Sequence, residues 1–138
     1  MDCHLDGFVK FNVDVVSHGN LDSAGIGGVC RDHNSVFLCC FAKGIGWNYA
    51  LVAKTLAIRR ALVIAGSMGI KKLIIESDNM LVVNLLKDAK KAPPWRIASI
   101  IEDCRIYSQA FDCILYHHSL REANSVANCL ASLGTNAQ

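Results

Sequence analysis

The sequence predicts an α/β domain in which a five-stranded mixed sheet is flanked by helices. Three observations support this prediction. The first third of the chain alternates apolar and polar residues as strands do, the middle carries apolar residues at helical spacing, and the remainder alternates short apolar runs with helical segments. Three antiparallel strands followed by alternating strand and helix imply that the later strands are parallel. The predicted element order is β-β-β-α-β-α-α-β-α.

The first three elements are predicted to form an antiparallel meander. Residues 7–16 alternate apolar and polar side chains, and the runs 24–32 and 36–44 are apolar and strand-like. Gly, Asn, Asp and Ser in residues 17–23 indicate a turn, and His-Asn-Ser at 33–35 indicates another. Short turns of this kind favour neighbouring, antiparallel strands.

The middle of the chain is predicted to be helix, strand and helix. Residues 47–66 are rich in Ala and Leu and have helical apolar spacing, with Gly66 or Gly69 as the expected end. Residues 71–78 form a short apolar run with a polar finish, which is typical of a buried central strand. Residues 79–89 are predicted to form the next helix.

The last part of the chain repeats this alternation. The Ala-Pro-Pro sequence at 92–94 is expected to interrupt the helical pattern, which resumes over 95–110. Residues 111–120 are predicted to form a strand and residues 121–134 a closing helix.

Composition predicts one compact domain. The chain has 138 residues, of which 52% are hydrophobic and 19% charged, so we expect a single domain over 1–138. No apolar run reaches the roughly 18 residues of a membrane span, and no secretory signal is evident. We therefore expect a cytoplasmic or nuclear protein without a membrane partner. The net charge of +2 is too small to indicate a partner by itself.

The cysteines are predicted to serve as small apolar side chains. Their number is odd, no C-x-x-C pair occurs, and most lie within apolar runs, which disfavours both zinc and a disulfide framework. They are Cys3, Cys30, Cys39, Cys40, Cys104, Cys113 and Cys129.

Five segments carry a family resemblance in one order along the chain: KFNVD (10–14), SHGNLDSAGIGGVCRDHNS (17–35), IIESDNMLVVNLL (74–86), PPWRIASIIEDCR (93–105) and HHSLREANSVANCLA (117–131). Together they resemble the plant ribonuclease H-like domains associated with reverse transcriptases of non-LTR retroelements. The resemblance covers about residues 8–134, which are the expected core of the domain. The resemblance implies the ribonuclease H fold, whose element order agrees with the one predicted from the pattern. For a working member it also implies cleavage of the RNA strand of an RNA–DNA hybrid.

The resemblance implies a site of four acids that hold two Mg²⁺ ions. Asp14 matches the first acid and Asp78 the third. Lys54 stands where the second is expected and Asn128 where the fourth is expected. Because two divalent cations need several carboxylates to neutralise them, Asp14 and Asp78 are expected to bind metal weakly or not at all. We therefore expect no cofactor, or Mg²⁺ or Mn²⁺ if residual activity exists.

Two placements of Lys54 are open. In the first, its amine lies between Asp14 and Asp78 and neutralises them in place of metal. In the second, the long side chain extends into solvent, and the two aspartates form a weak pair that holds one ion. Neither placement restores two-metal chemistry.

A basic cluster around two prolines is the candidate nucleic-acid-binding surface. It comprises Lys87, Lys90, Lys91, Trp95 and Arg96. The resemblance places it where a basic protrusion of the wider fold group grips a DNA backbone, and contacts of this kind make affinity fall with salt. The alternative is an ordinary solvated surface in which Trp95 anchors the loop to the core.

Three further features are less specific. A second basic group is explained equally well by helix surface charge; it comprises Arg59, Arg60, Lys71 and Lys72. His117 or His118 matches a loop histidine of active relatives, although a structural role at a strand end is favoured. The turn at 19–23 resembles a family loop that lies along the hybrid, and here Asp22 adds charge of the wrong sign for phosphate. Val15 and Val16 stand where the family has small residues after its first aspartate.

The function predicted from sequence is a catalytically impaired ribonuclease H-like domain of retroelement origin that binds RNA or RNA–DNA hybrid without efficient cleavage. One alternative is a residual Mg²⁺- or Mn²⁺-dependent hybrid ribonuclease that uses Asp14 and Asp78. The other is a scaffold that binds a protein partner.

Overall fold

The structure is a computed structural model that describes residues 7–17, 24–46 and 48–119. The predicted closing helix at 121–134 lies outside these residues. Within them, five strands form one mixed sheet with helices packed against it, as the sequence predicted.

The five strands are β1 (Val9–Ser17), β2 (Ala24–Arg31), β3 (Phe37–Gly46), β4 (Lys72–Ser77) and β5 (Cys113–His118). Their spatial order is β3-β2-β1-β4-β5. β1 and β2 are antiparallel, as are β2 and β3, which confirms the predicted meander. β4 runs parallel to both β1 and β5. The first strand of the chain therefore lies at the centre of the sheet.

The helices are α1 (Ala50–Ser67), α2 (Met80–Lys87) and α3 (Ala98–Ser108), and a single 3₁₀ turn (Trp95–Ile97) leads into α3. The segment predicted as one helix over 95–110 thus begins with a tighter turn after the two prolines. No helix of the described residues is both long enough and apolar enough to cross a membrane.

The end of α1 is set by Gly69 rather than Gly66. Gly69 has φ of +75°, a backbone conformation that costs glycine little and other residues more. Its N–H donates to the carbonyl of Gly66 at 3.1 Å, and the N–H of Ile70 donates to that of Ala65 at 3.2 Å. These two bonds are the Schellman pattern, which satisfies the last carbonyls of a helix.

The helix α2 begins with a side-chain cap and ends two residues before the predicted boundary. Asn79 Oδ1 accepts a hydrogen bond from the N–H of Val82 at 2.9 Å. The chain becomes extended at Asp88, whose Oδ1 accepts the N–H of Lys90 at 3.0 Å. This turn fixes the start of the segment that carries the predicted basic cluster.

The core lies between the sheet and the helices. Alanines spaced four residues apart along α1 are fully buried and allow the helix to approach the sheet closely; they are Ala53, Ala57, Ala61 and Ala65. Larger apolar side chains from each layer fill the remaining space, among them Phe11, Ile58, Leu62, Leu73, Ile75 and Ile101. Burial of this apolar surface is the main stabilising contribution.

The glycine at position 28 is required by two aromatic rings. Phe11 on β1 and Phe41 on β3 have ring centroids 5.8 Å apart and a tilted arrangement. A Cβ atom at Gly28 on β2 would lie 2.5 Å from the Phe41 ring and 2.9 Å from the Phe11 ring. Glycine on the middle strand therefore leaves room for the rings to pack across the sheet.

Two of the described cysteines have the predicted role of small, buried apolar side chains, whereas Cys40 is exposed. Cys3 and Cys129 lie outside the described residues. Cys30 and Cys104 are completely buried free thiols, and burial raises the pKa of each to about 12. Cys113, in contrast, is disulfide-bonded. The interpretation of all seven cysteines as small apolar side chains was wrong for this residue.

Candidate metal and nucleic-acid site

The sheet topology brings the two retained acids to the same end of the central strands. β1 and β4 are parallel neighbours, and their paired register ends with Asn12 opposite Glu76. Asp14 lies within β1 two residues after Asn12, and Asp78 directly follows β4 two residues after Glu76, so the register places both aspartates beyond the same end of this strand pairing. Asp14 is almost fully buried, and its Oδ1 accepts the N–H of Val15 at 2.8 Å.

Lys54 reaches this end of the sheet from the second turn of α1. Its Nζ lies 3.1 Å from Asp78 Oδ1, and the two side chains are 23% and 12% exposed. The same Oδ1 atom is buried and accepts no well-aligned hydrogen bond, so the contact is an ion pair whose strength is electrostatic. The placement in which Lys54 extends freely into solvent is therefore wrong.

The placement of Lys54 between both aspartates is correct only for Asp78. Within residues 7–17, 24–46 and 48–119, no ion pair shorter than 4.0 Å joins Lys54 to Asp14. The lysine thus pairs with the aspartate that follows β4, while Asp14 Oδ1 accepts the N–H of its neighbour Val15.

The predicted fourth position, Asn128, lies outside the described residues. In the part of the chain that the structure describes, no three metal-binding side chains come together. The predicted metal positions that are described offer two carboxylates, Asp14 and Asp78, with an ammonium against one of them. This donor set does not fit two Mg²⁺ ions, which need more negative charge and more oxygen ligands.

The two histidines lie at the end of a strand, the position expected from the sequence. His117 and His118 are the last two residues of β5, and both are exposed. The next residue, Ser119, donates its N–H to the carbonyl of Ser77 at 2.9 Å, which joins the end of β5 to the end of β4.

The predicted basic cluster lies in the segment 87–96, which runs from the last residue of α2 into the 3₁₀ turn and is here called the basic loop. Lys87, Lys90 and Lys91 are exposed along it. Arg105 of α3 contacts the chain at both ends of the turn that opens this loop. Its Nη2 donates to the carbonyls of Leu85 and Lys91 at 3.0 and 2.9 Å. Sequence analysis missed Arg105 because these acceptors are 14 to 20 residues away, and no local pattern signals them.

The end of the basic loop carries an aromatic and cationic stack. The Arg96 guanidinium carbon lies 4.0 Å from the ring centroid of Tyr49 and 4.7 Å from that of Trp95. Trp95 is 81% exposed, so the prediction that it anchors the loop to the core was wrong. Ile97, which is completely buried, has that role. Tyr49 was missed because it precedes α1 and is far from Arg96 in sequence.

Two members of the second basic group contact neighbouring elements, whereas Arg60 and Lys71 are exposed. Arg59 Nη1 lies 2.9 Å from Asp103 Oδ2, and Lys72 lies over the ring of Phe8 at 5.9 Å from its centroid. These two cations therefore contact groups on neighbouring elements, in agreement with ordinary surface charge.

Comparison with known proteins supports the fold and the family. Residues 12–134 match the model of the reverse transcriptase-like family. A protein of Arabidopsis thaliana named for ribonuclease H is 29% identical over 126 residues, which are 91% of this chain and 20% of that protein. The chain thus spans about a fifth of the length of this relative.

Two solved structures have a closely similar fold. Ribonuclease H1 of the archaeon Halobacterium salinarum superposes with a TM-score of 0.87 at 23% identity, over 96% of this chain and all of that one. LC11-RNase H1 in complex with an RNA/DNA hybrid superposes with a TM-score of 0.85 at 21% identity, over 94% of this chain and 97% of that one. At these identities the likeness shows the fold. Together with the match over residues 12–134, it shows that this chain has the ribonuclease H fold and belongs to the reverse transcriptase-like family.

Proposed function

We propose that this chain is a nucleic-acid-binding domain with the ribonuclease H fold that binds RNA or RNA–DNA hybrid without efficient hydrolysis. The observation that carries the proposal is the ion pair between Lys54 and Asp78 at 3.1 Å. The amine neutralises a carboxylate that would otherwise be available to a metal ion.

Electrostatics argues against metal binding beside this pair. Two unit charges about 4 Å apart interact by roughly 4 kcal/mol at an effective dielectric near 20, so an ammonium and a Mg²⁺ ion would repel by roughly twice that. A metal ion would also have to separate Lys54 from Asp78. Titration calorimetry with Mg²⁺ and Mn²⁺ should therefore show no binding at sub-millimolar concentration, and clear binding in that range would contradict the proposal.

Binding and hydrolysis depend on different residues. The basic loop presents three exposed lysines together with Arg96, and positive charge of this kind favours a phosphate backbone. LC11-RNase H1, whose fold is similar, was solved in complex with an RNA/DNA hybrid. Loss of the metal site leaves this cationic surface unchanged.

The binding part of the proposal is tested by fluorescence anisotropy. Labelled RNA, DNA and hybrid of equal length are titrated with protein from about 50 to 200 mM salt. We expect affinity to fall steeply with salt, and Lys90→Glu with Lys91→Glu to weaken it about tenfold or more and reduce the salt slope by up to about two. The matched control is Arg60→Glu with Lys71→Glu, which changes the charge equally at exposed positions outside the basic loop.

The hydrolysis part is tested on the same hybrid with Mn²⁺ added. We expect no cleavage products. Products that disappear in the Asp14→Asn variant would replace the proposal with a residual ribonuclease that uses Asp14 and Asp78. Absence of salt-dependent binding to all three nucleic acids would overturn the binding part.

One observation favours a second candidate, a scaffold that binds protein. Val36, Phe37 and Leu38 are consecutive, apolar and exposed where β3 begins at the edge of the sheet. Exposed apolar runs and open strand edges are common protein contact sites. This candidate predicts that no nucleic acid binds and that Phe37→Ser with Leu38→Ser changes the oligomeric state measured by light scattering.

A further inference from the structure

Burial in the core does not account for the indole of Trp95. Trp95 is 81% exposed, although large aromatic side chains gain most from burial. The turn beneath it is well anchored: Ile97 is completely buried, and its N–H donates to the carbonyl of Pro94 at 3.1 Å. The ring is therefore presented to solvent by a fixed backbone.

One side of this indole already carries a cation. The Arg96 guanidinium lies 4.7 Å from the Trp95 ring centroid and 4.0 Å from that of Tyr49, so it is held between two rings. With that side covered, an exposure of 81% means that the opposite face of Trp95 is open to solvent. An open aromatic face beside a positioned cation matches the chemistry of a base and its phosphate.

The surroundings of the stack favour a polyanion over a protein partner. Lys90 and Lys91 are exposed in the same loop. The acidic residue of this loop, Asp88, directs Oδ1 to the N–H of Lys90 at 3.0 Å, so one of its oxygens bonds to the backbone of its own turn. Positive charge next to an aromatic face is typical of single-strand binding surfaces.

The stack also lies at the start of α1, the helix that carries Lys54. Tyr49 precedes Lys54 by five residues at the start of α1, a rise of about 7.5 Å along the helix axis. A nucleic-acid strand bound across this end of the sheet could therefore reach both the stack and Lys54.

We infer that the open face of Trp95 stacks an unpaired nucleobase, with Arg96 and the basic loop on the adjoining phosphates. The inference rests on the proposed function and narrows its ligand to single strands or strands with an unpaired end. A base inside a duplex has neighbours on both faces and offers no free surface, whereas every unpaired base has one. Stacking on an aromatic side chain contributes roughly 5- to 150-fold in affinity per base.

The test compares the affinities of the wild type and two Trp95 variants for single strands and for a blunt duplex. Labelled U12 and dT12 and a blunt hybrid of twelve base pairs are titrated with the wild type, Trp95→Leu and Trp95→Phe. Trp95→Leu should weaken binding of both single strands about tenfold, leave the hybrid within about twofold, and leave the salt slope unchanged, because no charge is altered. Trp95→Phe keeps an aromatic face and should lose less than about threefold.

A fluorescent base reports the contact directly. A single strand that carries 2-aminopurine should lose emission when the wild type binds, and should lose little when Trp95→Leu binds at saturating concentration. Because Trp95 is exposed, Trp95→Leu should leave the Tm unchanged. The dissociation constants of the wild type for U12 and dT12 should be nearly equal, because every unpaired base offers an aromatic face whichever sugar carries it.

The outcomes separate the inference from the function on which it rests. Suppose that the wild type binds nucleic acid but Trp95→Leu weakens binding of the single strands and of the hybrid equally, or weakens neither. The inference is then wrong and the proposed function stands. If the wild type binds no nucleic acid, both are wrong.

Discussion

Lys54 and Asp78 form a partly buried ion pair in which each charge depends on the other. Lys54→Met would leave a carboxylate that is only 12% exposed without its cation. We expect a loss of about 1–3 kcal/mol in the free energy of unfolding, below the cost of breaking a fully buried pair because some solvent reaches this one. Chemical denaturation measures the loss.

A more exposed ion pair on the same sheet provides the control. Lys10 Nζ lies 3.3 Å from Glu76 Oε2, and the lysine side chain is 46% exposed. Lys10→Met should therefore cost less than about 1 kcal/mol. Equal losses for Lys54→Met and Lys10→Met would show that the pair at position 54 has no special role at this end of the sheet.

If Lys54 and Asn128 stand where two family acids are expected, metal binding can be restored. Lys54→Glu with Asn128→Asp returns acids to both positions that the family resemblance identifies. We expect Mg²⁺ and Mn²⁺ binding at sub-millimolar concentration, because the added carboxylates balance the charge of the ions. Lys54→Gln, which removes the cation without adding an acid, should bind much more weakly. If the double variant binds no metal, the correspondence of position 54 or 128 with the family acids is wrong.

The basic loop depends on a helix that lies beneath it. Arg105 of α3 donates to the carbonyls of Leu85 and Lys91, and its Nη2 also lies 3.4 Å from that of Asp88. Arg105→Met removes these donors while keeping a long apolar side chain. We expect a loss of about 1–3 kcal/mol in the free energy of unfolding and faster amide hydrogen exchange in residues 85–91.

The control for Arg105→Met is a substitution of Arg59, an arginine that pairs with a carboxylate. Arg59 contacts Asp103 at 2.9 Å, and both side chains are more than a third exposed. Arg59→Met should cost less than about 1 kcal/mol and leave exchange in residues 85–91 unchanged. If Arg105→Met also leaves that exchange unchanged, Arg105 does not order the loop.

At the scale of the whole molecule, the buried thiols predict sensitivity to alkali. Burial raises the pKa of Cys30 and of Cys104 from 9.0 to about 12, so the folded state holds both protons after the unfolded state has lost them. Their stabilising contribution is complete below about pH 9 and is lost as the pH rises towards about 12. Burial raises the pKa of the Tyr116 hydroxyl in the same direction.

Replacing one thiol should flatten this dependence. Each buried thiol contributes about 1.4 kcal/mol per pH unit to the fall in the free energy of unfolding between about pH 9 and 12. Cys104→Ala should reduce the slope by about that amount, whatever its effect on stability at neutral pH. Cys40→Ala, at an exposed position, controls for the loss of a thiol. A slope that Cys104→Ala does not change would show that this thiol does not carry the dependence.

For residues 7–17, 24–46 and 48–119, the sequence by itself determined the kind and order of the elements. Periodicity of two and of 3.6 is a local property, so strands and helices appear in the pattern before any packing is known. The resemblance also gave an expectation for the site, in which Lys54 and Asn128 stand where two family acids are expected. Boundaries such as the 3₁₀ turn at Trp95–Ile97 shifted because caps and prolines act within one turn.

Only the tertiary structure decided which distant groups meet. Lys54 and Asp78 are 24 residues apart in the chain, and pairing with one aspartate rather than two follows from where α1 lies on the sheet. The exposure of Trp95, its stack with Tyr49 through Arg96, and the reach of Arg105 to the basic loop likewise depend on how the helices pack. Local sequence does not encode the distance between two elements, since packing of the whole core sets it.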